Sequence, residues 1–157
     1  QVFFAQKDAS RLPGRQVGMG SWDGYAASRR RVLEGFVHRR VRNPVVLTGD
    51  VHRHYANDLR LAFDRPETPP VGVELVTTSI TSGGDGFDTA PQLKVERAAN
   101  PHIRYSSGRR GYLLTRYTRS ELRADFRVLP YVQERGAPLR TDASFVVEDR
   151  RPGLQRA

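Results

Sequence analysis

The sequence predicts a mixed α/β fold whose last third is rich in β-hairpins. Two observations predict the α/β class: a segment with helical spacing of apolar residues leads into a short apolar strand at Val45–Thr48, and a second apolar strand at 71–78 runs into a glycine-rich loop. The third observation is the alternation of apolar and polar residues over 122–128, which is typical of a strand with one buried face. Because no linker or internal repeat interrupts these segments, we predict one domain over residues 1–157.

The residues before the first apolar strand are predicted to form a strand, a loop and a helix. Residues 2–5 are apolar enough for a short buried strand, and the polar, glycine-rich stretch that follows favours a loop. From residue 22 to about residue 40, apolar side chains recur near helical spacing, which predicts one amphipathic helix. Ser21 and Asp23 favour the start of this helix, and basic residues favour its last turn.

The rest of the chain is predicted to contribute mainly strands. The run Val45–Thr48 is short, apolar and β-branched, so we expect a strand that is buried on both faces. A short helix is expected from residue 91 to about residue 98. Residues 103–117 and 122–132 are expected to form strands linked by hairpins, and residues 143–148 to add another strand.

The composition is that of a globular protein with a basic surface. The net charge is +9, from 26 lysine and arginine residues against 17 aspartate and glutamate residues, so polyanions are possible partners. The arginines are spread along the chain, however, which weakens this inference. The chain has no cysteine, which excludes disulfides, thiolate metal sites and cysteine nucleophiles.

The apolar runs and the first residues of the sequence indicate whether the chain spans a membrane and whether it is part of a longer protein. No apolar run approaches the ~20 residues needed to span a bilayer, and no leader-like segment opens the sequence. The chain begins at Gln1, within a segment that has the pattern of a strand already under way. We therefore expect it to be part of a longer protein.

The stretch VVLTGDVHRHYANDL, residues 45–59, carries the clearest indication of chemistry. A strand ends here, Gly49 allows the backbone to turn, and Asp50 and His52 follow two residues apart. Open α/β folds place their sites at the carboxyl ends of strands. A carboxylate oxygen and an imidazole nitrogen suit a metal ion that polarises a phosphate or a water molecule. Spacing alone leaves open a structural role, in which Asp50 caps a turn and His52 bonds a backbone carbonyl.

Several segments, in order along the chain, carry a family resemblance. They are SWDGYAASRRRVLEGF (21–36), NPVVLTGDVHRHYANDL (43–59), VGVELVTTSITSGGDG (71–86), NPHIRYSSGRRGY (100–112), LRADFRVLPYV (122–132) and FVVEDRRPGLQ (145–155). Together they closely resemble the PhoD-like alkaline phosphatases, which belong to the calcineurin-like metallophosphoesterases. The resemblance covers nearly the whole chain.

This resemblance implies a two-layer α/β sandwich, with two mixed β-sheets flanked by helices, of which this chain would be the C-terminal half. It implies a secreted, phosphate-acquiring enzyme that hydrolyses phosphate monoesters and diesters by a metal-bound hydroxide. The implied cofactors are iron and calcium in a polynuclear centre. Asp50 and His52 match the family's late ligand motif, GDVH, so both are implied metal ligands. The family's earlier ligands precede every matched segment, so the missing N-terminal half of the enzyme is the implied partner.

For the other polar and aromatic residues, the sequence predicts a substrate-orienting role at Arg53 and structural roles elsewhere. Arg53 is nearest to the proposed ligands and is predicted to orient the phosphate ester, with a solvated surface arginine as the alternative. Tyr55 stands where many members of the family have tryptophan, and we expect it to be half-buried and His54 to be exposed. Trp22 and Tyr25 are expected in the core. Four further candidate ligands are expected to have structural roles. Asn57 is expected to fasten a loop, Asp58 to pair with an arginine, Asp85 to form a turn and His102 to pack internally.

Two other functions stay open. A hairpin with interleaved basic and aromatic side chains can stack bases and neutralise phosphates, which would make the chain a nucleic-acid-binding module without catalysis. The residues concerned are Tyr105, Arg109, Arg110, Tyr112, Arg116 and Tyr117. The second possibility is a polypeptide with no activity of its own, which is expected if the chain is an incomplete part of an enzyme.

Overall fold

The computed structural model describes residues 2–9, 14–87 and 90–157. Residues 10–13 of the predicted N-terminal loop lie outside these ranges. The helices are a 3-10 helix at Trp22–Tyr25, α1 (Ala26–His38) and α2 (Ala90–Ala99). The strands are β1 (Val45–Thr48), β2 (His54–Leu59), β3 (Gly72–Val76), β4 (Gly86–Phe87), β5 (Ile103–Tyr117), β6 (Glu121–Leu129), β7 (Arg140–Glu148) and β8 (Gln155–Arg156).

The described strands form one mixed sheet. Its order is β1-β3-β2-β5-β6-β7-β8, and β4 pairs with β5 beside this path. The β1 and β3 strands are parallel, whereas the other described pairs are antiparallel. The mixed sheet with helices confirms the α/β class, and the antiparallel β5, β6 and β7 confirm a last third that is rich in hairpins.

The central strands carry an apolar cluster on each face. Tyr55 belongs to a cluster with Leu33 of α1 and Phe3 of the N-terminal segment, whereas its neighbour Ala56 belongs to a cluster with Phe126 of β6. Successive side chains of a strand point to opposite faces, so neighbours fall into different clusters. Both faces of β2 and β3 are therefore buried, and their residues are shielded from solvent throughout.

Residues 2–5 do not form the predicted strand, although Phe3, Phe4 and Ala5 are buried. The backbone N–H groups of Phe4 and Ala5 donate to the two carboxylate oxygens of Glu74, at 2.7 and 2.9 Å. A side chain thus accepts the hydrogen bonds that a neighbouring strand would accept in a sheet. The segment consequently lies against the sheet without joining it.

The predicted helix over 22–40 is a 3-10 turn followed by α1, which ends at His38. Ser21 caps the 3-10 helix, because its hydroxyl accepts a hydrogen bond from the N–H of Asp23. Trp22 packs against Phe4, with 4.8 Å between ring centroids, as expected for a core residue. The expectation for Tyr25 is wrong: it lies where the 3-10 helix meets α1, and its side chain is 67% exposed.

Two expectations around the first strand are also wrong. β1 lies at the edge of the sheet, so Leu47 is 55% exposed and the strand is not buried on both faces. Residues 54–59, for which no strand was predicted, form the fully buried strand β2 between β3 and β5. His54 is accordingly buried and not exposed, and Tyr55 is fully buried and not half-buried. Because both faces of β2 are buried and the strand carries polar residues, its sequence lacks the alternation of apolar and polar residues that predicts a strand.

The remaining elements match the expectations. In β6, Leu122, Ala124, Phe126 and Val128 are buried, and the alternate residues are partly exposed. The second apolar strand, the glycine loop after it, the short helix and the strand at 143–148 are present as β3, residues 77–85, α2 and β7. Within the described ranges, no helix has both the length and the apolarity to span a membrane.

Candidate functional site

Two loops leave the sheet side by side at the carboxyl ends of β1 and β3. The parallel register places Thr48 beside Val76, the last residues of the two strands. The N–H of Thr77 then donates to the carbonyl of Thr48 at 3.0 Å, so the loops start together. One loop, residues 49–53, carries the predicted ligands, and the other, residues 77–85, is the glycine-rich loop. The position is the one at which α/β sheets commonly bind ligands.

The loop that carries Asp50 and His52 has a strained backbone. Asp50 has a φ of 72° and His52 a φ of 52°, both in the left-handed region that non-glycine residues seldom adopt. The N–H of Val51 bonds the carbonyl of Gly49 at 2.9 Å, which makes a γ-turn of the rare, strained form around Asp50. Both side chains are exposed. Strained residues of this kind occur at functional sites, but three other described non-glycine residues outside this loop also have a positive φ, so the backbone agrees with the sequence motif without identifying the site by itself.

Arg110 holds the two loops together from within. Its guanidinium donates to the carbonyl oxygens of His52 at 2.8 Å, Gly84 at 2.9 Å and Gly83 at 3.2 Å. The side chain is only 4% exposed. Gly83 has a φ of 87°, and a Cβ there would lie 2.7 Å from the guanidinium, so this contact needs glycine. The shape of the ligand-bearing loop therefore depends on a buried arginine from β5.

Glu74 anchors the base of the same loop. Besides Phe4 and Ala5, its carboxylate accepts hydrogen bonds from the Thr48 hydroxyl at 2.6 Å and the Asn57 amide at 3.0 Å. Burial raises the pKa of Glu74, and these four donors oppose that rise. A single buried carboxylate therefore connects the N-terminal segment, β1 and β2 just below the turn at Gly49. Asn57 serves this network and does not fasten a loop.

The two residues that follow the loop in β2 have structural contacts. His54 accepts a hydrogen bond from the N–H of Thr78 at its Nδ1, at 3.3 Å, and burial lowers its pKa to about 4. It is thus a neutral histidine that ties β2 to the glycine-rich loop. The Tyr55 hydroxyl lies 2.9 Å from the Lys7 ammonium and donates to Glu96 at 3.1 Å, so Tyr55 belongs to a buried polar cluster.

Arg53 is half-buried and held from two sides. Its guanidinium lies 4.8 Å from the centre of the Phe87 ring and 3.5 Å from the Tyr55 hydroxyl. These contacts hold the last residue of the candidate loop against Phe87 and Tyr55. A role in orienting a substrate stays a prediction.

The other candidate ligands have the expected structural roles, with Asn57 as the exception. Asp58 pairs with Arg104 at 3.1 Å. Asp85 lies in the glycine-rich turn and accepts hydrogen bonds from the N–H groups of Val132 and Gln133, which hold its pKa below the ordinary value. His102 is buried, with its Nε2 atom 2.6 Å from the carbonyl oxygen of Gln6.

The donor set of the loop fits a metal ion in part. Asp50 supplies carboxylate oxygens and His52 an imidazole, and both are accessible on a loop whose shape is fixed from below. In the described part of the chain, no group of three or more histidine, aspartate or glutamate side chains is arranged to hold a metal. Since metal ions in proteins usually have four or more ligands, further donors must come from elsewhere.

The basic and aromatic hairpin residues do not form one exposed surface. Tyr112 and Tyr117 are exposed, but Arg110 is buried and bonds backbone carbonyls. Tyr105 donates to Asp142 at 2.8 Å. Arg110 and Tyr105, two of the residues on which the nucleic-acid-binding alternative depends, therefore make hydrogen bonds within the protein.

Sequence reasoning missed Arg110 and Glu74 as supports of the site. An acidic residue in the middle of the apolar strand VGVELV is itself a usable indication, because a buried carboxylate must have partners. Arg110 gave no such indication, since it lies in a segment with many arginines.

The chain is similar to known phosphatases in both sequence and fold. A family model described as PhoD-like phosphatase matches residues 1–126. Alkaline phosphatase D of Bacillus subtilis (strain 168) is 40% identical over 156 residues, which are 99% of this chain and 27% of that protein. A solved structure of PhoD matches with a TM-score of 0.90 and 39% identity, over 99% of this chain and 30% of the solved chain. This chain therefore spans less than a third of either relative. It belongs to the PhoD-like phosphatase family.

Proposed function

We propose that the chain contributes the late metal ligands and the supporting loops to a metal-dependent phosphoesterase that hydrolyses phosphate monoesters and diesters. The observation that carries this proposal is the projection of Asp50 and His52 from a strained loop, held by Arg110, at the carboxyl ends of two parallel strands. The kinship with alkaline phosphatase D supports phosphate esters as the substrate class. By the same kinship, iron and calcium are the proposed metals, and secretion is the proposed location.

We further propose that the chain is the C-terminal part of a larger enzyme. Two observations support this: the relatives are more than three times as long as this chain, and Asp50 and His52 alone are too few donors for a metal centre. The remaining ligands would come from a preceding segment, which makes that segment the essential partner of this chain.

The residues of this chain would each have a defined task. Asp50 and His52 would hold metal, which when bound would polarise water and neutralise the charge of the phosphate. Arg110 would keep the carbonyl of His52, and hence the backbone that carries its imidazole, fixed during turnover. Arg53, half-buried beside the loop, would bond a phosphate oxygen of the ester as it enters, since a guanidinium matches phosphate geometry.

The test is a chimera in which this chain replaces the matching segment of Bacillus subtilis alkaline phosphatase D. Iron and calcium per molecule are measured by mass spectrometry, and turnover is measured with p-nitrophenyl phosphate and bis-p-nitrophenyl phosphate. We expect Asp50→Asn and His52→Ala each to lower metal content. Turnover should fall roughly 100-fold or more, since even residues that only support a ligand change affinity or activity about 10- to 100-fold.

His38→Ala is the matched control, because His38 is an exposed histidine in the last turn of α1. It should leave metal content and turnover unchanged. Full metal occupancy and normal turnover in both the Asp50 and the His52 variant would refute the assignment of these residues as ligands.

A further inference from the structure

A cavity of about 360 Å³ opens beside the first half of β5, and its walls are rich in arginine. Five arginines from four different parts of the chain line it: Arg97, Arg104, Arg109, Arg140 and Arg156. Arg97 lies on α2, Arg140 on β7 and Arg156 on β8, and the other two lie on β5. The remaining lining residues include Tyr105, Ser106 and Ser107. Distant segments thus bring guanidinium groups to one concave surface, although the arginines are spread evenly in the sequence.

Few carboxylates oppose this charge. Asp142 is the acidic residue in the lining, and it already accepts hydrogen bonds from Tyr105 at 2.8 Å and Arg140 at 3.1 Å. Asp58 lies behind the wall and pairs with Arg104 at 3.1 Å. Glu96 contacts the Ser106 hydroxyl at 3.5 Å, but it pairs with Lys7 at 3.0 Å.

Two of the guanidinium groups differ in this respect. Among the residues that the structure describes, no ion pair or hydrogen bond engages the side chain of Arg97 or Arg156. Like charges that are held around a small cavity repel one another, and a bound anion with several oxygens would relieve that repulsion. Guanidinium groups match phosphate in particular, because their planar donors bond two oxygens at once.

The cavity is distinct from the candidate metal site. Its lining contains neither residues of the loop at 49–53 nor residues of the glycine-rich loop. Two lining residues connect the cavity to that site: Ser107 pairs across strands with His54, and Arg109 pairs with Gly86 and directly precedes Arg110. The cavity then extends along β5 toward Arg104, away from that loop.

We propose that this cavity is a binding site for a compact anion with two or more phosphate groups. Arg97 and Arg156 bind the anion directly, and Arg104 and Arg140 contribute further donors from positions that Asp58 and Asp142 fix. Two kinds of ligand carry this diphosphate chemistry: free pyrophosphate, and a small phosphorylated molecule that contains a diphosphate group.

The test is isothermal titration calorimetry on the 157-residue chain at low ionic strength, with pyrophosphate and adenosine diphosphate as separate probes. We expect saturable binding of pyrophosphate to one site, weakened by added salt because screening reduces exposed charge interactions. Binding of both probes would show that the site takes a diphosphate group, and binding of pyrophosphate alone would assign it to the free anion. Citrate serves as a multiply charged carboxylate probe and should bind at least tenfold more weakly than pyrophosphate.

Two double variants distinguish binding in this cavity from nonspecific attraction by the net positive charge of the protein. The double variant Arg97→Gln with Arg156→Gln should weaken pyrophosphate binding at least tenfold. The double variant Arg116→Gln with Arg119→Gln removes the same charge from exposed positions outside the cavity and should leave affinity unchanged. Equal affinity of both double variants, no saturable binding, or citrate binding as tight as that of pyrophosphate would overturn the proposal. Circular dichroism confirms that each variant is folded.

Discussion

The guanidinium of Arg110 donates a 2.8 Å hydrogen bond to the backbone carbonyl of His52, from a strand that is 58 residues further along the chain. The same side chain bonds the carbonyls of Gly83 and Gly84. Because the Arg110 side chain is buried, it is held in place to make all three hydrogen bonds at once. The backbone at His52 is therefore held by β5 as well as by its own loop.

Replacing Arg110 with methionine should loosen both loops. The variant leaves three carbonyl oxygens without their charged donor, and a hydrogen bond to a charged group contributes about 1.5 to 3 kcal/mol. We expect the free energy of unfolding to fall by at least about 3 kcal/mol. Amide hydrogen exchange should accelerate at residues 50–53 and 83–86 more than elsewhere. Denaturant titration and exchange mass spectrometry provide the two measurements.

The matched control is Arg116→Met, an exposed position further along the same strand. This change should alter the free energy of unfolding by less than about 0.5 kcal/mol, as is usual for surface substitutions. If Arg110→Met leaves exchange in both loops at the wild-type rate, the arginine does not hold them.

Glu74→Gln should destabilise the fold without changing its shape. The carboxylate accepts four hydrogen bonds, whereas the glutamine amide has one acceptor oxygen and an NH₂ group that would face donors. Leaving buried donors unsatisfied costs about 1 to 3 kcal/mol for each group. We expect the free energy of unfolding to fall by at least about 2 kcal/mol, measured by denaturant titration.

Glu67→Gln supplies the comparison, because Glu67 is exposed in a turn. It makes the same chemical change and should have little effect on stability. Similar stability losses in the two variants would contradict a special role for the Glu74 carboxylate.

His102 should make stability depend on pH. Burial lowers its pKa below the ordinary 6.5. The hydrogen bond to the Gln6 backbone and the charge of Asp58 oppose this shift, whereas Arg60 and Arg29 add to it. As pH falls below about 6.5, the unfolded chain binds a proton that the native protein does not, so stability is lost until the pH reaches the native pKa. Thermal unfolding between pH 7.5 and pH 5 measures this loss.

His102→Gln is the informative variant, because an amide can still donate to the carbonyl of Gln6 but does not titrate in this range. Its stability should fall less steeply with acid than that of the wild type, and the remaining slope should include His54. Identical slopes in the two proteins would mean that His102 has the same pKa in the folded and unfolded states.

The 157-residue chain by itself should bind metal weakly and hydrolyse phosphate esters at the background rate. In the described part of the structure only Asp50 and His52 offer accessible donors at the candidate loop. Equilibrium dialysis with iron and calcium, combined with both chromogenic esters, tests this expectation. Robust turnover that a chelator abolishes would show that these residues contain a complete site.

The elements with a clear pattern could be predicted from the sequence. The alternation in β6 requires one buried and one solvated face, and the helical spacing that includes Leu33 requires a helix packed on the sheet. The position of Asp50 and His52 after a strand was predictable for the same reason, since the strand itself was recognisable.

The supports of the site depend on contacts between distant segments, which a local pattern does not contain. Arg110 is one of many arginines, and only the folded chain places it against His52. β2 was not predicted, because its histidine, asparagine and aspartate find partners only after folding and interrupt the apolar pattern of a buried strand. The segment at 2–5 was misjudged because its hydrogen bonds go to the side chain of Glu74 and not to a strand.

The left-handed backbone at Asp50 and His52 implies a conflict between durability and activity. A non-glycine residue in this conformation costs about 1 to 2 kcal/mol, so glycine at either position would make the folded protein harder to unfold. Such a change would remove the side chain that the proposed chemistry needs. A search for thermally resistant variants should therefore repeatedly select glycine at residues 50 and 52, and each such variant should lose the proposed function as it gains resistance.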